Sequence, residues 1–562
     1  MQTANELLAR TMKARGINTI FHICGAPNID LTRECEKVGI QLIGVRHEIA
    51  GAGMAFAYAR VTGMPAVCLA PAGPGAINMI PTAVHAMAEE TPVIMLGGSS
   101  PLQMRGTGGF QEVDQAKLFQ PAVKAILQLN KGADIGRLFD EAMAIATSPK
   151  QGAVYVDLPG DVLDEEVPAF DDIGPSPFAR PAPPAPPAEV IDQILDALAA
   201  SKRPLIISGS GIIWAHAGPA MAEFVELSGV PFFTTPQGRG VMDEDHELAL
   251  LGARSLAFRE ADFALSLGTR SNFIIGFLKP PRWAADLKVA MVNLDPSELD
   301  KTQPAIRVEY DAKATLEALN ARLRANPADK SRLAPWIERL REKDASANAR
   351  QAEMATNDAD PIHPLRLMCE IAKVLDKDAV LIEDGHDTLG FCRHSLKSYV
   401  PGHRINPGTL GNVGLGIPFA VGAKAAKPDT QVVVVTGDSA FGWNGIEIDT
   451  ACRHDLPILC VIVNNGGISS RRRNPATWMP GQFLGTPDYQ TVATAFGGHG
   501  ERVEKAEDIA PALKRAIASG KPAVVNVIVD PHVASATDLG FAGVMSAVYG
   551  ADGKGGAKNT EG

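Results

Sequence analysis

The sequence predicts an α/β protein built as three doubly wound parallel-sheet domains in series. Three observations carry this expectation. The chain has 562 residues, several times a typical domain of about 100–200 residues. Short, continuous apolar runs rich in β-branched residues alternate with helical patterns along its whole length, as parallel strands covered on both faces do. And residues 164–188, DEEVPAFDDIGPSPFARPAPPAPPA, form a proline-rich stretch that reads as a stiff, extended linker. A softer, polar break covers 343–362 and ends near Pro361. The expected blocks are 1–165, 189–340 and 363–540, with a tail at 541–562.

The elements follow in order. The opening MQTANELLARTMKARG is an amphipathic helix pattern with no apolar signal-peptide core. In the first block, Ala66–Leu69, Val93–Leu96 and Ala153–Val156 read as buried strands. In the second, Pro204–Ser208 leads into Gly209-Ser210-Gly211, and Phe263–Leu267 and Val289–Leu294 follow. In the third, Ala379–Ile382, Val432–Val435, Ile458–Val463 and Ala523–Ile528 are equally continuous. Hydrophobic residues at 46% and charged residues at 21% suit a folded globular chain. A formal charge of −11 argues against a nucleic-acid backbone as main partner. The seven cysteines are odd in number and form no CxxC pair, which reads as reduced thiols in a cytoplasmic protein. No apolar run approaches the roughly 18 residues of a spanning helix, so no membrane is expected.

Ligands of doubly wound sheets sit beyond the carboxyl ends of strands, where connecting loops converge. The richest such loop is Gly437-Asp438-Ser439, after the strand QVVVVT. The next strand, Pro457–Val463, ends in Asn464-Asn465-Gly466-Gly467. Asp438 and Asn465 are 27 positions apart, and strand, helix and strand fill that interval, which brings both loops to one sheet edge. There the Asp438 carboxylate, the Asn465 amide oxygen and a backbone carbonyl at Gly467 can face one cation. All are hard oxygen donors, and Mg²⁺ takes few protein oxygens together with phosphate oxygens. The glycines let backbone N–H groups approach phosphate closely. Glu48 stands at the start of a helix with a small, apolar face, where a carboxyl group needs a partner or a helix dipole to be tolerated.

The Asp438–Asn465 pairing resembles the diphosphate-binding motif of thiamine-diphosphate (ThDP) enzymes, which opens with GDG or GDS and closes with NN. The resemblance runs along nearly the whole chain. Gly25-Ala26-Pro27 stands where these enzymes have a GVPG-like turn, with Asn28 in place of the last glycine. Arg46-His47-Glu48, with Ala50, Met54 and Ala55 after it, is similar to their glutamate helix. Gly73-Pro74-Gly75 through Asn78 is similar to their SGPG..N loop, and Gly408–Gly414 to the loop under the cofactor. The resemblance implies a pyrimidine-binding first domain, a diphosphate-binding third domain, ThDP and Mg²⁺ as cofactors, and at least a homodimer or homotetramer. It implies metal ligation by Asp438, Asn465 and Gly467. Cofactor contacts would come from Gly25, Pro27, Gly73, Asn78, Thr388, Gly411, Val413, Gly437, Ser439 and Ile468 as well. Glu48 would bond the aminopyrimidine ring.

At the substrate end, Gly109-Phe110-Gln111-Glu112 resembles the GAFQE segment of 2-hydroxyacyl-CoA lyases and related carboligases. Phe110 is a candidate substrate contact from the partner subunit. His47, Gln111 and His386 are candidates for moving the proton of a substrate hydroxyl; His386 could equally cap a helix. Arg404 and Arg471, the latter within an Arg471–Arg473 run, are candidates for the phosphates of a coenzyme A thioester. In the middle block Arg254, Arg270 and Asp295 suit either an ADP-type nucleotide or an empty site. The tail reads as a lid or a docked terminal helix. The preferred reaction is cleavage of a 2-hydroxyacyl-CoA to formyl-CoA and a ketone or aldehyde; oxalyl-CoA decarboxylation and acetolactate-type condensation of 2-keto acids are the alternatives.

Overall fold

A computed structural model describes residues 1–169, 172–178, 182–468 and 485–535. The first domain opens with β1 (Gln2–Thr3), which pairs antiparallel with β8 (Glu166–Val167) and ties the two ends of the domain together. Its main sheet contains β2 (Thr19–His22), β3 (Gln41–Gly44), β4 (Ala66–Ala70), β5 (Val93–Ser99), β6 (Ala125–Gln128) and β7 (Ala153–Pro159), in the order β3-β2-β4-β5-β7-β6. The middle sheet contains β9 (Pro204–Ser208), β10 (Phe232–Thr234), β11 (Phe263–Leu267), β12 (Lys288–Val292) and β13 (Ile306–Val308), in the order β10-β9-β11-β12-β13. The third contains β14 (Val380–Asp384), β15 (Arg404–Ile405), β16 (Val432–Gly437), β17 (Leu459–Asn464), β18 (His499–Val503) and β19 (Ala523–Ile528), in the order β15-β14-β16-β17-β19-β18. Every pairing within these three sheets is parallel. The continuous apolar runs are therefore what they promised: strands such as β4, β9 and β16 bury almost every residue because helices cover both faces.

The first and third sheets share one topology. In each, the second strand lies outside the first, the third lies on the first strand's other side, and the last two strands swap places. Each sheet thus has one switch point, between β2 and β4, between β9 and β11, and between β14 and β16. Loops leave a switch point in opposite directions and open a crevice there.

The first and third domains of the chain share a hydrophobic core. Its seam is the helix Glu48–Thr62 against the helix Gly416–Ala426. Both are apolar around most of their circumference, as helices buried on all sides are. Small residues set the approach: a Cβ at Gly422 would stand 2.1 Å from the Met54 carbonyl oxygen. The polar stretch 343–362 differs from expectation. It is helical as far as Met354, in the helix Ala334–Met354, which is anchored by buried Trp336 and Leu340 and otherwise exposes its polar side chains. All seven cysteines are free, and no helix among the described residues is long and apolar enough to cross a membrane. The Arg471–Arg473 run and the 541–562 tail lie outside the described residues.

Candidate functional site

The switch point of the third sheet opens a cleft of about 560 Å³. β14 delivers Gly385–Thr388 to it, β16 delivers Gly437–Ala440, and β17 delivers Asn465, Gly467 and Ile468; Val413 closes another side. The helix Asp438–Asn444 starts at the metal-type aspartate itself. Asp438 is 1% exposed. Its carboxylate accepts the N–H of Ser439 at 2.8 Å and of Gly467 at 2.9 Å. Burial pushes its pKa up to about 6 against the pull of those backbone donors. The Asn465 Oδ1 atom is buried with no hydrogen-bond partner. The buried Asp438 carboxylate and the unpartnered Asn465 amide oxygen on the neighbouring loop are hard oxygen donors of the kind a divalent cation takes. Among the described residues no three His, Cys, Asp or Glu side chains converge on a metal-sized gap. A hard cation here would be held by one carboxylate, one amide and backbone oxygen. At Gly437 a Cβ would stand 3.5 Å from Thr388 Oγ1, an ordinary contact distance, so these two residues are neighbours at the cleft.

His386 also lines this cleft. It holds the N-cap position of the helix Asp387–Ser395 but makes no side-chain capping bond, so capping does not account for it. Gly411 lies on the adjoining loop with φ 58°.

A second constellation forms at the switch point of the first sheet. Glu48 is the first residue of its helix, and its side chain is 12% exposed. Asn78 Nδ2 donates to Glu48 Oε2 at 3.0 Å. A Cβ at Gly75 would lie 3.1 Å from Glu48 Oε1, so the glycine keeps the carboxylate's neighbourhood open. Gly73, at φ 62°, tucks beneath Gln111, where a Cβ would meet the Gln111 carbonyl oxygen at 2.3 Å. Gln111 itself is held at φ 56°, a left-handed conformation that glutamine adopts only when its surroundings impose it. Gly25 and Pro27 belong to the turn after β2, where Asn28 is fully buried and its amide bonds the Ala70 carbonyl at 2.5 Å; the asparagine that replaces a glycine of the motif braces the loop. Phe110 is 85% exposed. His47 is half-exposed and spends Nδ1 on capping the Glu48 helix, accepting the Ile49 N–H at 3.2 Å.

The structure thus gathers the expected residues into two groups. His386, Thr388, Val413, Gly437, Asp438, Ser439, Asn465, Gly467 and Ile468 share the third-domain cleft, whereas Glu48 with Asn78, and Gly73 with Gln111, make close contacts in the first domain. No first-domain residue lines the third-domain cleft.

Arg404 corrects the sequence reading. It is 1% exposed, paired with Glu383, and donates to the Leu396 carbonyl at 2.7 Å, to Ser398 Oγ at 3.1 Å and to the Cys392 carbonyl at 3.1 Å. It is an internal cation whose Nη1 and Nη2 donors are used inside the fold, with Nε alone left unpartnered, and its burial does not suit a substrate contact. Arg404→Ala should cost about 3–5 kcal/mol, because it strands the buried Glu383 charge, and denaturant unfolding measures it.

In the middle domain, Arg270 lines a small second cleft with Gly209 and Ser210, which Asp295 and Arg254 do not join. Asp295 caps the helix Pro296–Thr302 through the Ser297 N–H at 2.9 Å, and pairs with Lys150 at 2.8 Å. Arg270 pairs with Glu89 of the first domain at 2.7 Å. Arg254 does not join them. It faces Arg282 and Arg393, its guanidinium carbon lies 5.0 Å from the Phe258 ring centroid, and Arg282 approaches the same ring at 5.6 Å. Sequence reading missed Arg282 and Arg393 as its neighbours, and also missed Glu89 and Asp384, which bond the backbone of residues 409–416, and Glu112, which accepts the N–H groups of Gly106, Gly108 and Gly109.

Three family descriptions match the chain: "Thiamine pyrophosphate enzyme, N-terminal TPP binding domain" over residues 2–118, the "central domain" of the same enzymes over 191–319, and the "C-terminal TPP binding domain" over 385–527. The 2-hydroxyacyl-CoA lyase of Oryza sativa subsp. japonica is 31% identical over 551 residues, covering 94% of this chain and 95% of its own. The acetolactate synthase large subunit IlvG of Mycobacterium tuberculosis is 34% identical over 539 residues, covering 94% and 96%. The oxalyl-CoA decarboxylase of Escherichia coli (strain K12) is 30% identical over 556 residues, covering 96% and 97%.

Proposed function

The chain belongs to the thiamine pyrophosphate enzyme family, and from that premise we propose that it is a carbon–carbon lyase that cleaves a 2-hydroxyacyl-CoA into formyl-CoA and a ketone or aldehyde. Mg²⁺ would be held by Asp438, Asn465 and the Gly467 carbonyl, and the diphosphate by the Gly437–Ser439 turn, beside Thr388 and Ile468. The orphaned Asn465 oxygen supports this assignment. The first-domain group, led by Glu48, completes the site from a second copy of the chain, since within one chain it does not line the cleft. A cytoplasmic homodimer or homotetramer is the working form. When bound, ThDP supplies a nucleophilic carbon and an electron sink.

This chain's own residues supply the rest. Glu48 holds a proton at the aminopyrimidine nitrogen. Val413, which lines the cleft, would support the cofactor's ring system. Breaking C1–C2 turns the 2-hydroxyl carbon into a carbonyl, so the hydroxyl proton has to leave. His386 in the cleft, and His47 and Gln111 from the partner copy, are the groups placed to take it, Gln111 through a water. Phe110, being apolar and exposed, lines the alkyl pocket.

One observation carries the thioester over a free 2-keto acid. Arg254, Arg282 and Arg393 make no ion pair among the described residues, and Arg254 buries Nε and Nη2 without a partner. Burial and mutual repulsion lower the pKa of Arg254, and burial lowers that of Arg282 and Arg393. Clustered, partly buried cations without an ion-pair partner are costly and favour an anion, even though the Glu383 carboxylate offsets part of the charge at Arg393. Arg393 lies on the helix Asp387–Ser395, whose first turn lines the cofactor cleft, about 9 Å along the axis at 1.5 Å per residue. The phosphates of coenzyme A, on a long arm from the thioester, suit that position; the Arg471–Arg473 run is a further candidate for them. For the middle domain an empty nucleotide site is the better reading, because Arg270 and Asp295 already have protein partners.

The test is to offer 2-hydroxyacyl-CoA, oxalyl-CoA and pyruvate side by side with ThDP and Mg²⁺. Formyl-CoA with a ketone or aldehyde from the first is expected. Formyl-CoA from oxalyl-CoA alone makes the protein a decarboxylase, and acetolactate from pyruvate removes the thioester argument. Arg393→Gln should raise KM for the thioester about tenfold, the worth of one charge-assisted hydrogen bond.

A further inference from the structure

We infer that Glu89 and Asp384 are positioning residues that clamp the loop Gly408–Leu415 from its two ends and so set the height of Val413 in the cofactor cleft. The inference rests on the reading that this cleft holds ThDP. It concerns two carboxylates that touch neither cofactor nor substrate.

Glu89 follows the helix Ile80–Ala88 of the first domain and is 1% exposed. Its carboxylate reaches both other domains. Oε2 accepts Arg270 Nη2 at 2.7 Å. Oε1 accepts the N–H and the hydroxyl of Thr409, each at 2.7 Å. The approach is possible only because residue 408 is glycine: at φ 60°, a Cβ there would lie 2.3 Å from Glu89 Oε1. Burial pushes the Glu89 pKa up, but Arg270, His85 and the Thr409 donors outweigh it and hold the carboxyl below its ordinary value. The group stays ionised, and bonds to an ionised acceptor are the strong ones.

Asp384 ends β14 and is 1% exposed. It accepts the Gly414 N–H at 3.0 Å, the Gly416 N–H at 2.7 Å and the Gly385 N–H at 2.7 Å. Gly414 takes φ 93°, and a Cβ there would meet the Trp443 side chain at 2.5 Å. The loop is therefore pinned at Thr409 by one domain and at Gly414 by another. Between the pins, Leu410 is exposed and Val413 faces the cleft. A loop held at both ends by buried charge keeps its middle in place without packing of its own, which is how a supporting residue is preorganised.

Two variants of the full-length protein test this: Glu89→Gln, and Thr409→Val, which leaves the Glu89–Arg270 pair intact. Hydrogen exchange of the cofactor-free protein is read first. Amides of residues 408–414 should exchange about tenfold or more faster in both variants, while β16 and β17 keep wild-type protection. ThDP affinity in excess Mg²⁺ and kcat should then fall, ThDP binding by about tenfold, at temperatures well below melting. A purely structural role would lower the melting temperature and leave affinity and kcat of the folded protein alone. Unchanged exchange in the loop overturns the clamp. Faster exchange with wild-type affinity and kcat overturns its positioning role. If the wild-type protein binds no ThDP, the cofactor reading fails and takes the positioning role with it, even where the exchange result stands.

Discussion

Glu48→Gln lowers turnover by roughly 10²–10⁴-fold, the range of one proton-handling group, while the protein still folds, binds Mg²⁺ and retains ThDP. The carboxylate is the polar centre of the first-domain group. It is nearly buried, and Asn78 Nδ2 holds it at 3.0 Å. Glutamine keeps an oxygen for that amide to bond, so the local fold survives; the loss of a charged acceptor is worth about 1–2 kcal/mol in stability. What glutamine lacks is an anionic oxygen that can share a proton with a ring nitrogen. The phenotype should therefore be a fall in kcat, with KM and cofactor affinity changed much less. Glu48→Ala should be as slow and bind ThDP less tightly. Steady-state kinetics with calorimetric titration of ThDP separates these outcomes. A Glu48→Gln enzyme with more than a tenth of wild-type kcat would remove the carboxylate from the chemistry.

The parts of this molecule legible in the sequence share one property: their determinants are local. Each parallel strand announces itself as an apolar run because both of its faces are covered, as in β9 or β16. Asp438 and Asn465 could be paired because a single strand–helix–strand unit separates them and returns the chain to the same edge. Residues whose role depends on partners far along the chain were not legible. Arg404 reads as a free cation until β15 is laid beside β14, where Leu381 faces Arg404 and Glu383 reaches its guanidinium. Arg254, Arg282 and Arg393 come from three separate elements, and no pattern links them. Glu89 is one glutamate of a pair after an ordinary helix; only the meeting of three domains gives it Arg270 and Thr409. The polar stretch at 343–362, expected as a soft break between blocks, is helical as far as Met354. Its composition suits a linker, yet a long helix needs only the two apolar anchors at Trp336 and Leu340 to be held against the domain.

The largest effect is expected at Asp438. Asp438→Ala should abolish retention of ThDP. Losing an outer partner of a metal ligand already costs 10–100-fold in metal affinity, so losing a direct carboxylate should exceed about 100-fold. The alanine also strands the N–H groups of Ser439 and Gly467, which the carboxylate now accepts. Asp438→Asn is the cleaner variant, because its amide oxygen can still accept from that turn while the negative charge is gone. Calorimetry with Mg²⁺ and ThDP should show no binding in either, with circular dichroism and melting close to wild type for the asparagine variant. Binding at wild-type affinity would remove the metal from this cleft. The same variant decides how the two half-sites meet. If Glu48 of one protomer serves the Asp438 cleft of another, Glu48→Ala and Asp438→Asn chains are each inactive, yet co-refolded together they form mixed dimers in which one site has both residues intact. Activity should return on mixing and be absent from either variant alone. If each chain instead paired its own Glu48 with its own Asp438, every site in the mixture would carry one defect, and no activity would return.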